Sequence, residues 1–116
     1  MDINANNNEY INADDALSRI GGSVSLYKRL LGRFIDGNHY DKLEQTLQEG
    51  NMEEGALQVH SLKGVSANLS LTKISALTVQ MEQLLKDGAD FSACLGELKQ
   101  AYSTTAEMIQ EMIDSA

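Results

Sequence analysis

The sequence predicts an all-α fold: an up-and-down (antiparallel) four-helix-bundle core with an additional short N-terminal helix. Three observations carry this. Proline is absent from the 116 residues, while 42% of them are apolar. Leu, Ala, Glu, Gln, Lys and Met dominate the middle of the chain, and all are good helix formers. Val and Ile are scattered and never alternate with polar residues as a half-buried strand requires. The connections between helical stretches are short, which makes consecutive helices antiparallel neighbours. The length suits one domain with one modest core.

Residues 1–9 are polar and asparagine-rich and read as a disordered tail or linker remnant; residues 10–116 form the domain. A short helix is expected from about Ala13 to Ile20. Asn12 or Asp14 would cap it and Gly21-Gly22 would end it. Ser23 has the position of the next N-cap. Tyr27, Leu30, Leu31 and Phe34 then form an apolar stripe at helical spacing. Carried past Gly37, that stripe would land on Asn38, Asp41, Gln45 and Gln48. The apolar positions restart instead as Tyr40, Leu43 and Leu47, so the register slips. A break or sharp kink near Gly37-Asn38 follows, with 24–49 either one kinked helix or two.

Gly50 stops that stretch. Asn51 can cap the next helix, with Glu54 placed for a reciprocal capping contact. Val59, Leu62, Val65 and Leu69 make its core face. Ala56, His60, Lys63, Gly64, Ala67 and Asn68 make the other. Ser70 divides it from a helix with the stripe Ile74, Leu77, Met81 and Leu84/Leu85, closed by Asp87-Gly88. Asp90 caps the last helix, whose stripe runs Phe91, Cys94/Leu95, Leu98, Ala101/Tyr102, Thr105, Met108/Ile109 and Met112. The methionines are expected mainly as core filler, and His39, beside the break, as a surface or loop residue.

Nine Lys/Arg against 17 Asp/Glu leave a net charge of −8. With no basic stripe interleaved with aromatics, nucleic acid is not an expected partner. The single cysteine, Cys94, falls among apolar positions and reads as a buried free thiol. With no signal peptide and no apolar run of spanning length, the chain is expected to be a cytoplasmic monomer without direct membrane contact, or a cytoplasmic part of a larger membrane-bound sensor.

The chemistry concentrates at His60-Ser61-Leu62-Lys63-Gly64. Each helical residue turns about 100°, so Lys63 and Gly64 share the face of the imidazole while Leu62 points to the core. The core pattern is complete without His60, which is surplus to packing. A mid-helix glycine costs about 1 kcal/mol relative to alanine. It is tolerated more readily where something must approach the backbone closely. Imidazole is a competent nucleophile near neutral pH, and Lys63 offers a mobile cation for phosphoryl oxygens. The pattern reads as phosphate chemistry on the ring. Ala56, Ala67 and Asn68 would flank a partner docked there. No carboxylate shares the His60 face at ligand-like spacing, so no metal site is expected. No Gly-rich phosphate loop follows a strand, so ATP-dependent kinase activity is not expected either.

The run from His60 to Leu69 resembles the signature of histidine-containing phosphotransfer (HPt) domains of multistep two-component phosphorelays, His-x-Leu-Lys-Gly, then small residues, then Leu-Gly. The resemblance extends upstream through Ala16-Leu17-Ser18-Arg19-Ile20-Gly21-Gly22 and Leu26-Tyr27, and downstream through Leu77, Met81 and Glu82. It covers residues 13–88, and the last helix matches by pattern. It implies that His60 is the phospho-acceptor, that Lys63 assists the phosphate and that Gly64 gives steric access. The implied partners are receiver domains of response regulators or of a hybrid histidine kinase, of which this chain could be a domain. The chain itself would bind no cofactor; the Mg²⁺ would sit in the receiver. One departure is Ser70, where the family has a glycine. Glycine would end the helix in a left-handed turn; Ser70 instead suits an N-cap for the next helix. The rival reading is a non-catalytic helical adaptor, or a degenerate HPt module that binds receivers without carrying phosphate.

Overall fold

The computed structural model describes residues 7–115. Among them run six helices: α1 (Ala13–Arg19), α2 (Val24–Asp36), α3 (His39–Gln48), α4 (Met52–Asn68), α5 (Thr72–Asp87) and α6 (Ser92–Asp114). Side-chain caps start three of them. Asn12 Oδ1 accepts from the N–H of Asp15 at 3.1 Å, Ser23 Oγ from Leu26 at 3.2 Å and Asn51 Oδ1 from Glu54 at 3.2 Å. Glu54 does not reciprocate; the Asn51 N–H donates to the Thr46 carbonyl at 3.2 Å and closes the preceding helix. The cap position of α6 is Phe91, and Asp90 sits one residue upstream. Its carboxylate still accepts from the Ser92 N–H at 2.9 Å and hydroxyl at 2.7 Å.

The stretch 24–49 is two helices. Asn38 separates them in the left-handed region (φ 49, ψ 46), a conformation that asparagine tolerates better than most residues. The freed N–H of His39 donates to the Tyr102 hydroxyl at 3.1 Å. The two helices continue in one direction along α6: Lys28 Nζ donates to the Ser115 carbonyl at 3.0 Å and the Tyr40 hydroxyl to the Leu95 carbonyl at 3.4 Å. α2 and α3 thus form one bent side of a four-sided bundle, with α4, α5 and α6 as the others. The body measures 43 × 21 × 20 Å. Helix axes pack about 8–10 Å apart, so that cross-section is two helices by two.

Tyr27, Leu31, Phe34, Tyr40, Leu43, Leu47, Val59, Leu62, Ile74, Leu77, Met81, Leu98, Ile109 and Met112 fill the core. Cys94 is a buried free thiol. Met81 and Met112 are core residues, whereas Met52 is 42% exposed. His39 is not a loop residue. It opens α3 half-buried, its ring 5.2 Å from that of Phe34. Burial, and then Lys42, push its pKa below the ordinary histidine value.

The turn between α4 and α5 departs most from expectation. Ser70 is not an N-cap; Leu71 holds that position, without a side-chain cap. Ser70 takes the left-handed conformation itself (φ 54), the one a glycine would adopt there. Its N–H donates to the Ala67 carbonyl at 3.1 Å, and the Leu71 N–H to Ser66 at 2.8 Å. Its buried hydroxyl donates to Asp15 at 2.7 Å. Arg19 pairs with the same carboxylate oxygen at 3.1 Å and donates to the Ala67 carbonyl at 2.9 Å. α1 is therefore a clamp on the end of α4.

The tail expected over residues 1–9 lies outside the described residues for 1–6. Residues 7–9 are held in the fold. Asn7 donates to Asp14 at 2.8 Å, Asn8 accepts from the Tyr10 N–H at 2.8 Å, and Thr72 donates to the Glu9 carbonyl at 2.8 Å. Among the described residues no helix is long and apolar enough to cross a membrane.

Candidate functional site

α4 places its polar residues where the helical phase puts them. Val59 and Leu62 are buried, and His60 between them faces out with 70% of its side chain exposed. Gly64 and Ala67 are exposed beside it, as is Asn68, while Ala56 is half-buried. A Cβ at Gly64 would meet nothing within 4 Å, so no neighbouring helix requires the glycine. Gly55 on the same helix is the contrast. A Cβ there would lie 2.5 Å from Leu47 Cδ2, and its role is packing against α3.

Lys63 lies toward α5 and is not a free cation. Its Nζ donates to Oε1 of Glu82 at 2.8 Å. The other oxygen of that carboxylate, Oε2, is 3.0 Å from Nδ1 of His60. Glu82 thus bridges the two, one oxygen to each. The hydrogen bond from Lys63, and then that from His60, hold its carboxyl below the ordinary value, so it is ionised at neutral pH. An ionised carboxylate only accepts. Nδ1 must therefore carry the proton, which leaves the lone pair on Nε2. The site presents an imidazole with 70% of its side chain exposed and a lysine one helical turn away.

The sequence alone marks Glu82 only as a residue that matches the resemblance, not as part of the site. Its signal was present in the spacing. In an antiparallel hairpin, residues equally far from the turn face each other, and His60 and Glu82 lie almost equally far from the turn at Ser70-Leu71. Leu57 was also missed. It precedes His60 by one turn and is 62% exposed on the same outward side. Between α2 and α4 lies a cavity of about 430 Å³, lined in part by Leu30, Phe34, Val65 and Asn68. Among the described residues no group of three or more His, Cys, Asp or Glu is placed to hold a metal ion.

The bundle carries an exposed imidazole and a lysine together on α4. The chain belongs to the Hpt domain family, whose model matches residues 30–115. The match takes in the last helix, which the signature alone placed only by pattern, and begins after α1. Comparison with curated proteins and with solved structures gives no match. Membership makes histidine phosphotransfer in a phosphorelay the function class, with receiver domains as the class of partner.

Proposed function

We propose that the chain is a phosphocarrier. It takes a phosphoryl group onto Nε2 of His60 from the aspartate of one receiver domain and passes it to the aspartate of another. The observation that supports this most is the His60 ring itself: 70% exposed, with Nδ1 bound to Glu82 and Nε2 left open. Phosphoryl transfer needs alignment and charge stabilisation more than covalent help, so a sparse site is sufficient if the partner supplies the rest. Lys63 would follow the phosphoryl oxygens as they arrive. Gly64 would let the receiver's reacting loop approach the backbone. Ala56, Ala67 and Asn68 would line the docking face, with Leu57 as its apolar contact. The Mg²⁺ would be carried by the receiver, and the exchange would take place in the cytoplasm with this chain as a monomer.

The test is incubation with a panel of phosphorylated receiver domains, native chain against His60→Gln. The native chain should acquire a label that is lost in acid and stable in base, and the variant none. A static adaptor or a degenerate module would bind receivers and stay unlabelled.

A further inference from the structure

We infer that the cavity between α2 and α4 is a binding site for a small aromatic carboxylate, with Arg33 as its counter-ion. The cavity measures about 430 Å³, within the roughly 300–1,000 Å³ of small-molecule sites. It opens on a different flank of α4 from the imidazole. Val65, which lines it, follows His60 by five residues and so points about 140° round the helix from it.

The walls are apolar. Phe34 and Leu69 are buried, and Leu30 and Val65 half-buried. His39 lines the cavity too, its ring 5.2 Å from that of Phe34 and tilted 33° from it. Such a pair offers a flat guest ring faces and edges to stack on. A flexible acyl chain gains less from them.

The charge of the lining makes the guest an anion. No Asp or Glu is among the described residues that line the cavity, in a chain that has 17 of them against nine Lys/Arg. Arg33 is the one fixed charge there, because burial holds His39 below its ordinary pKa and so neutral near pH 7. Among the described residues no ion pair includes Arg33, not even one with Asp36, a turn along α2. An exposed guanidinium without a partner, beside an apolar cavity, offers a carboxylate two parallel donors. The Asn68 amide, on the α4 side, supplies a further donor. One cation matches a monoanion, whereas a phosphate ester dianion would keep a charge unpaired.

The probe is 2-naphthoate, with its neutral isostere 2-naphthamide and the aliphatic decanoate as controls. Each is titrated into the unphosphorylated chain, so the outcome does not depend on His60 as acceptor. Calorimetry should give 2-naphthoate a Kd of about 1 mM or tighter, the floor for a guest of this size, and both controls weaker binding. Amide ¹H–¹⁵N shifts should move most at Leu30, Arg33, His39, Val65 and Asn68. Arg33→Gln, on the exposed side of α2, should weaken 2-naphthoate about tenfold and leave 2-naphthamide unchanged. Leu30→Trp fills the cavity and should abolish binding of both; if it does not fold, Arg33→Gln decides alone. No saturable binding of 2-naphthoate, or shifts centred elsewhere, overturns the site. Equal binding of acid and amide, or an Arg33→Gln effect that is absent or the same for both, overturns the role of Arg33. Decanoate binding as tightly as 2-naphthoate overturns the aromatic preference.

Discussion

The hydroxyl of Ser70 donates to the carboxylate of Asp15 at 2.7 Å, and this bond holds a non-glycine residue in the left-handed region at the end of α4. The conformation costs a serine about 1–2 kcal/mol, and a hydrogen bond to a charged group returns about 1.5–3 kcal/mol. Ser70→Ala keeps the strain and loses the bond, so it should destabilise by about 2 kcal/mol. Ser70→Gly loses both and should be close to neutral. Urea unfolding of the two variants checks the pair; equal losses would mean that the backbone strain is negligible.

The two glycines of α4 should respond differently. Gly64→Ala fills open space and should stabilise the fold by about 1 kcal/mol, the ordinary helix preference. Gly55→Ala meets Leu47 Cδ2 and should stabilise less, the deficit measuring how far Leu47 must move. Gly64→Gln should leave helicity intact or raised while transfer from a receiver falls. Thermal unfolding and phosphotransfer on the same samples separate these effects. Transfer that falls only in proportion to lost helicity would remove the steric role of Gly64.

Lys63→Ala should slow transfer by about tenfold or more, the scale of losing one charge-stabilising group, with the fold intact. It also removes the largest influence holding the Glu82 carboxyl down. The Glu82 pKa should therefore rise toward the ordinary value, which carboxylate ¹³C titration by NMR would record. An unchanged Glu82 titration would show that the 2.8 Å contact is not maintained in solution.

How far the fold and site can be read from sequence follows from range. The caps at Asn12, Ser23 and Asn51 are legible because each bonds an amide three residues on. The break at Asn38 is legible because the apolar register slips within one stretch. His60, Lys63 and Gly64 share one helix, so phase alone assembles them. Ser70 is misread because its hydroxyl partner, Asp15, comes from another helix; seen locally, a serine between two helices looks like a cap. Glu82 is overlooked for the same reason. His39 is misjudged because its burial comes from Phe34, which lies across the bend.

His39 should make the fold sensitive to mild acid. Its folded pKa lies below the ordinary 6.5, chiefly through burial. As pH falls through the unfolded value, the unfolded chain takes up a proton that the folded chain resists, so stability declines and levels only below the folded pKa. Above the unfolded value the residue contributes no slope. Denaturant midpoints measured down this range should show a decline that His39→Gln reduces.

Tyr27 gives the opposite limb. Its hydroxyl donates to the Leu69 carbonyl at 2.8 Å, and burial pushes its pKa from 10.0 up to about 12. Between those values the unfolded chain has lost the phenolic proton and the folded chain retains it. The folded state binds more protons, so stability falls as pH rises past the unfolded value and is lost progressively up to the folded one. Tyr27→Phe should remove this part of the alkaline slope. It should also cost about 1–3 kcal/mol at neutral pH, because the Leu69 carbonyl is left without the hydroxyl at the buried end of α4. Stability measured against pH for both proteins tests the two effects together. An alkaline slope unchanged in Tyr27→Phe would assign it to the other groups that burial raises, Tyr40, Tyr102 and Cys94.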